Sequence, residues 1–302
     1  MEGVGYIGLG VMGTPMSSNL LRKGFKVTVF DIDQSKIPPL LELGATGAGS
    51  IAEVAEANDI VITMLPDSPH VEEVVSGPGG LIDGGHPGMI VLDTSTIYPG
   101  ITDKLAEKAA SAGMTFVDAA VGRLPPQAIA GTSMFMVGGQ AEDVERVRPL
   151  LEAMGETIIH CGPVGSGIRC KLVNNFLTMI TAKANAEAFA MALKAGLPAD
   201  TVWQVITGTT ATNGCLSTGW LPKLFAGNLE PGFAMPLARK DLSLGIRMAD
   251  EVGVDTPLAD LALTYYDELL ESEFGNKDFS AIVAAACEEV GVAPPVLSQD
   301  RR

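Results

Sequence analysis

The sequence predicts an α/β protein: an N-terminal doubly wound Rossmann-type domain followed by a C-terminal all-α domain, joined by a long helix. Three observations carry this. Short β-branched runs alternate with amphipathic helical stretches through the first half. The first such run leads straight into Gly8-Leu9-Gly10-Val11-Met12-Gly13. From residue 168 to 194 no helix breaker occurs. Strands are expected at 4–8, 26–31, 59–65, 89–94, 115–121, 134–137 and 157–161, several of them apolar throughout, as strands buried on both faces must be. Between them lie helical patterns such as 15–23, 51–57 and 101–112. This alternation specifies right-handed βαβ units and a mostly parallel sheet. The turn residues Gly162-Pro163-Val164-Gly165-Ser166-Gly167 close that half. After the long helix, helices are expected at 199–207, 236–252, 257–271 and 280–290, with loops such as 226–231 and 275–278 between them. The expected domains are therefore 1–164, a nucleotide-type α/β domain, and 165–302, an all-helical domain entered by the long helix.

A chain of 302 residues is comfortable for two domains. With 47% hydrophobic and 19% charged residues it is an ordered globular protein, not a disordered tail. The formal charge of −16 argues against nucleic acid or an anionic membrane as a partner. A small anionic substrate stays compatible, because a few cations in a cleft outweigh a repulsive exterior. No apolar run is long enough for a membrane span, and the N-terminus enters a Gly-rich turn too early for a signal or transit peptide. Four cysteines (Cys161, Cys170, Cys215, Cys287) form no CxxC pair and only three histidines are present, so no metal site is expected. The expected setting is the reduced cytoplasm.

The glycine loop is the first chemical signal. Its first Gly permits a tight turn, its second lets backbone approach a pyrophosphate, and its third lets helix pack on strand. The N–H groups of Leu9, Gly10, Val11, Met12 and Gly13 then open onto the phosphates at a helix N-terminus. A glycine turn beside an unrelated surface Asp would produce the same letters. The placement between strand and helix, followed by a second strand ending at Asp31, favours a dinucleotide site. A carboxylate at Asp31 accepts bonds from the ribose hydroxyls of NAD and repels the 2′-phosphate of NADP. Ile32-Asp33-Gln34, rather than Arg or Lys, comes next. NAD(H) is therefore expected in preference to NADP(H).

The long helix supplies the second signal. Lys171, Asn174, Asn175 and Thr178 fall at i, i+3, i+4 and i+7 and share one polar face of an otherwise apolar helix. Such a face points to a substrate cleft, or else to a solvated surface ending in an Asn cap. The histidines (His70, His86, His160) lie in or beside expected turns or at a strand end, away from this stripe. Lys171 is thus the best remaining proton donor: protonated, it stabilises an alkoxide as hydride reaches a carbonyl and then protonates it.

The residues quoted so far fall in order with others: Met16 and Asn19, Met64-Leu65-Pro66, Asp93-Thr94-Ser95-Thr96, Gly131-Thr132, Gly138-Gly139 and Lys240-Asp241-Leu242. Together they resemble the β-hydroxyacid dehydrogenases, the family of 3-hydroxyisobutyrate dehydrogenase and tartronate semialdehyde reductase, over essentially the whole chain. The resemblance implies reversible NAD(P)-dependent oxidation of a short hydroxy acid to its aldehyde and metal-independent catalysis by Lys171. It further implies homodimers or homotetramers built through the helical domain. It assigns Asn175 to the substrate, Met64, Leu65 and Thr96 to the cofactor, and Lys240 to the nicotinamide end. One loop departs from the usual Asp-x-Pro-Val-Ser-Gly-Gly: here it reads Asp118-Ala119-Ala120-Val121-Gly122-Arg123-Leu124. Gly122 and Arg123 in this loop resemble members that reduce 3-sulfolactaldehyde to 2,3-dihydroxypropane-1-sulfonate, although Leu124-Pro125-Pro126 does not. Arg123 suits a carboxylate as well, so dehydrogenases of 3-hydroxyisobutyrate, 4-hydroxybutyrate or tartronate semialdehyde are the alternative. A dinucleotide sensor without catalysis would need the glycine loop but not Lys171 and its Asn neighbours.

Overall fold

The computed structural model describes residues 3–301, in two compact units that part after Lys171. The first holds eight strands: β1 (Val4–Ile7), β2 (Val27–Phe30), β3 (Thr46–Gly47), β4 (Ile60–Thr63), β5 (Ile90–Asp93), β6 (Thr115–Gly122), β7 (Ser133–Gly138) and β8 (Gly155–Gly162). They form one sheet in the order β3-β2-β1-β4-β5-β6-β7-β8. Pairing is parallel except between β6 and β7. The helices of this unit are α1 (Gly13–Arg22), α2 (Pro38–Leu41), α3 (Ile51–Ala57), α4 (Ser68–Ser76), α5 (Leu81–Gly84), α6 (Pro99–Ser111), α7 (Pro125–Ala130) and α8 (Ala141–Met154).

The apolar strands explain the layering. β1, β4 and β5 are buried at every position, and alternate residues serve opposite faces. Ile60 and Ile62 join the cluster containing Leu20 of α1 and Val147 of α8, whereas Val61 joins Val54, Val71 and Leu105 on the other side. The β6–β7 reversal follows from chain length. Only residues 123–132 separate the two strands, too few for a parallel crossover of a dozen or more. One strand is unanticipated and one placement is corrected. Strand β3, two residues at an exposed edge, is too short to give a periodic signal. His70, expected beside a turn, lies within α4.

The long helix, α9 (Ser166–Lys194), has 29 residues and runs about 43 Å. It starts two residues before the expected 168, because Gly165 (φ +86°) makes the turn that admits it. The second unit continues with α10 (Ala199–Thr207), α11 (Met235–Glu251), α12 (Pro257–Leu270) and α13 (Ala281–Glu289). Its core concentrates the chain's scarce aromatic side chains: Trp220, Phe225, Phe189 and Tyr266 are fully buried. Phe189–Phe225 and Trp220–Phe279 ring centroids lie 5.5 and 5.8 Å apart. A π-helical turn at Cys215–Gly219 carries no expected signature. No described helix is long and apolar enough to cross a membrane.

Candidate active site

In the first unit the site is built where the strand order reverses, between β1 and β4, at the carboxyl ends of the strands. Gly8 turns the chain out of β1 with φ +96°, and a Cβ there would collide with the Met64 carbonyl. A Cβ on Gly13 would collide with the Gly8 carbonyl, so the turn closes only with both glycines. At Gly10, by contrast, an added Cβ meets no atom within 4 Å. The N-terminus of α1 has no side-chain cap and no acidic residue in its first turn. An open glycine beside an uncapped helix N-terminus is the chemistry a pyrophosphate requires. Leu9, Gly10 and Val11 line a cavity of about 650 Å³ with Arg22, Lys36, Pro125 and Ile129.

Asp31 follows β2 directly and is buried. Its Oδ2 accepts the Leu9 N–H at 2.6 Å and its Oδ1 the Asp33 N–H at 2.8 Å, so the carboxylate also ties the glycine loop to the second strand. Lys36 Nζ stands 3.4 Å from Asp31 and 3.9 Å from Asp33. Sequence reasoning missed this lysine, which lies beyond the Ile32–Gln34 triplet and is carried back by the turn at Gln34–Lys36.

Beyond β4 and β5 a hydroxyl network shapes the next part of the crevice. Thr63 Oγ1 donates to Asp93 at 2.8 Å, Thr94 Oγ1 to the Thr63 carbonyl at 2.7 Å, and Ser95 Oγ accepts the Leu65 N–H at 2.9 Å. This holds Met64 and Leu65 against the segment leading to the half-buried Thr96.

Gly122 ends β6, and Arg123 follows with φ +74°, the one described non-glycine residue in that region. Its guanidinium does not present an open fork. Nη1 donates to the Thr132 carbonyl and pairs with Glu156, and Nη2 lies 3.3 Å from Thr157 Oγ1. Its carboxylate partner, Glu156, comes from β8. Leu124-Pro125-Pro126 starts α7, with proline in the first turn where a missing N–H costs nothing.

Lys171 is buried on α9. Along the same helix the polar stripe divides in use. Asn175 is buried, and its Nδ2 donates to Asp241 Oδ2 at 2.6 Å. Asn174 is exposed, and Thr178 spends its hydroxyl on the Asn174 carbonyl at 2.8 Å. Lys240 Nζ lies 3.2 Å from Asp241 Oδ1. Asp241, which contacts both Asn175 and Lys240, is the neighbour that residue-by-residue reading passed over, although it stood inside the quoted Lys-Asp-Leu triplet. His86 and His160 face backbone carbonyls of Pro87 and Gly139.

A strand–glycine turn–helix crevice with a buried acid after β2, followed by a helical unit, defines an NAD-binding oxidoreductase of the dehydrogenase type. Comparison with known proteins supports this on the full length. Residues 3–162 match the model of the NAD binding domain of 6-phosphogluconate dehydrogenase, and residues 165–286 match a second model, described as NAD-binding of NADP-dependent 3-hydroxyisobutyrate dehydrogenase. The chain belongs to the 3-hydroxyisobutyrate dehydrogenase family, whose members act on CH–OH groups. It is 37% identical to 3-sulfolactaldehyde reductase of Escherichia coli, covering 98% of this chain and 99% of that one. It is 38% identical to NAD-dependent L-serine dehydrogenase of Pseudomonas aeruginosa, covering 93% and 97%. The solved structure of Mycobacterium tuberculosis 3-hydroxyisobutyrate dehydrogenase with L-serine superposes with a TM-score of 0.87 at 33% identity, over 94% of this chain and 99% of that one.

Proposed function

We propose that this protein reduces a short anionic aldehyde to its hydroxy acid, reversibly, with 3-sulfolactaldehyde as the preferred substrate and NADH as the preferred cofactor. The observation that carries the reading is the pair Lys171 and Asn175, both buried and one helical turn apart on α9. The cofactor supplies or accepts a hydride. Residues 1–164 hold it: Gly8–Gly13 wrap the pyrophosphate with the amides of Gly10–Gly13, that of Leu9 being given to Asp31, Asp31 takes the ribose, and Met64, Leu65 and Thr96 line its path; Lys240, from residues 165–302, serves the nicotinamide end. Lys171 donates the proton to the forming alkoxide. Asn175, steadied by Asp241, holds the substrate, and Asn174, Thr178, Gly122 and Arg123 are the further substrate-binding residues of this reading.

NADH is favoured because Lys36 is already shared between Asp31 and Asp33, leaving the acid to face a 2′-phosphate. Residues 165–302 also assemble the protein into homodimers or homotetramers in the cytoplasm. Exposed Met191, Leu197, Val205, Leu258 and Leu261 supply the apolar surface for that.

A second reading, a carboxylate hydroxy-acid dehydrogenase, is favoured by one observation. With Arg123 paired to Glu156, the loop's distinguishing cation is engaged elsewhere. The experiment is a turnover screen with NADH and NADPH against 3-sulfolactaldehyde, succinic semialdehyde, methylmalonate semialdehyde and tartronate semialdehyde. The proposal requires the highest kcat/KM on the sulfonate with NADH; a carboxylate in first place selects the second reading.

A further inference from the structure

Asp118 lies in the middle of β6, buried to 2% exposure. A carboxylate there must be met by donors, and both of its donors come from the start of the long helix. Oδ1 accepts the Gly165 N–H at 2.6 Å, and Oδ2 accepts the Ile168 N–H at 2.7 Å. Gly165 immediately precedes α9, and Ile168 sits in its first turn. A strand residue thus satisfies N–H groups that a helix otherwise leaves to its own cap or to water. The approach is close enough to exclude side chains. A Cβ on Gly138, which pairs with Asp118 in the β6–β7 ladder, would collide with Oδ1. A Cβ on Gly167 would collide with the Met136 carbonyl and stand 2.8 Å from Asp118 Oδ2. Lys171 follows Gly167 by four residues and Ile168 by three, one turn further along the same rigid element.

We infer that Asp118 is a positioning residue for Lys171: by holding the Gly165 and Ile168 amides it sets the height and rotation of the first turn of α9, and with them the place of the ammonium group. The inference rests on the proposed role of Lys171 as proton donor. Displacing a catalytic group by about 1 Å costs up to ~100-fold in rate, so a weakened tether acts on kcat.

The carboxyl is itself sensitive to pH. Burial raises it, the Gly165, Ile168 and Asp118 backbone N–H groups pull it down and the Asp93 charge on β5 pushes it up, which together leave it raised to about 6. The other charged or titratable groups facing it are Arg169 on α9, held by Asp103 of α6, and Cys161 on β8. Protonation removes one of the two strong acceptors and releases one amide.

The test is steady-state reduction by the parent, Asp118→Asn, Lys171→Ala and the double variant, with NADH affinity measured by fluorescence. Asp118→Asn should lower kcat at least tenfold, with aldehyde KM and NADH Kd within about threefold of the parent. The parent's kcat should fall below pH 6, and that limb should vanish in the variant. The double variant should be no slower than Lys171→Ala. Should Asp118→Asn not fold, the parent's pH profile and Gly167→Ala, which shifts the helix start with the carboxylate intact, carry the same test. Parental kcat in Asp118→Asn beside an inactive Lys171→Ala overturns the positioning role alone. An equal loss of kcat, aldehyde affinity and NADH affinity overturns it as well. An active Lys171→Ala removes the proposed proton donor, and the positioning role with it.

Discussion

The Arg123–Glu156 pair turns substrate recognition into a competition that two opposite substitutions can measure. Arg123 is 32% exposed and Glu156 54%, so their attraction is screened and worth at most ~1 kcal/mol. A charge-assisted bond to a substrate anion in a closed site is worth about 1.5–3 kcal/mol. If the guanidinium leaves Glu156 to meet the anion, the net gain is the difference, about 0.5–3 kcal/mol. Arg123→Ala should therefore lower kcat/KM on 3-sulfolactaldehyde by roughly 2- to 150-fold. Glu156→Gln works in the other direction. It frees the guanidinium and should raise kcat/KM on the same substrate by up to about fivefold. A neutral aldehyde should respond to neither change. Initial rates of NADH oxidation on sulfolactaldehyde, succinic semialdehyde and an uncharged analogue, with thermal unfolding of each variant alongside, give all the numbers. If both variants leave every substrate within twofold of the parent, Arg123 is only a clasp between β6 and β8, and the sulfonate reading loses its loop.

Other expectations are as direct. Lys171→Met should abolish turnover in both directions while NADH binding, read by fluorescence, persists; activity within a few-fold of the parent removes Lys171 from the chemistry. Gly10→Ala should cost little stability, because its methyl meets no protein atom, yet weaken NADH binding at least tenfold. Gly13→Ala should lower the melting temperature instead, since its methyl meets the Gly8 carbonyl. Asp31→Ser with Ile32→Arg should narrow or invert the NADH preference, and equal use of both cofactors by the parent would show that Asp31 does not discriminate. Asp118 also affects stability. With its carboxyl near 6 when folded and near 3.8 otherwise, the folded protein binds the proton more tightly. Its contribution is complete below about pH 4 and lost as pH rises through 6. From pH 7 to 4 the parent should gain stability relative to Asp118→Asn, with a slope of at most about 1.4 kcal/mol per pH unit, measured by urea unfolding.

Local signals were legible in the sequence, and long-range pairings were not. The turn Gly8–Gly13 is dictated by sterics that only glycine meets, and α9 by an uninterrupted run without breakers; both are properties of adjacent residues. The polar stripe of α9 was visible as a period, but which of its members are buried depends on Asp241, 66 residues on from Asn175. Arg123 illustrates the limit best. Its positive charge is legible in the sequence, while Glu156, the partner that holds it, lies 33 residues away on a strand brought close by sheet register. Lys36 was missed for a similar reason: a short helical turn folds it back onto Asp31.

The unbroken course of α9 also limits how this chain can change in length. Each residue of an α-helix adds 1.5 Å and about 100° of rotation. One residue inserted between Lys171 and Asn174 would carry Asn175 about a quarter-turn off the face of Lys171, although no contact had been edited. Only insertions of three or four residues come near to restoring the phase, and they add about 5 Å of rise. Loops such as residues 226–231 have no such phase to keep. Length variation among proteins built on this plan should therefore gather in the connections, while the segment from Ser166 to Thr178 keeps a fixed residue count even where its letters differ.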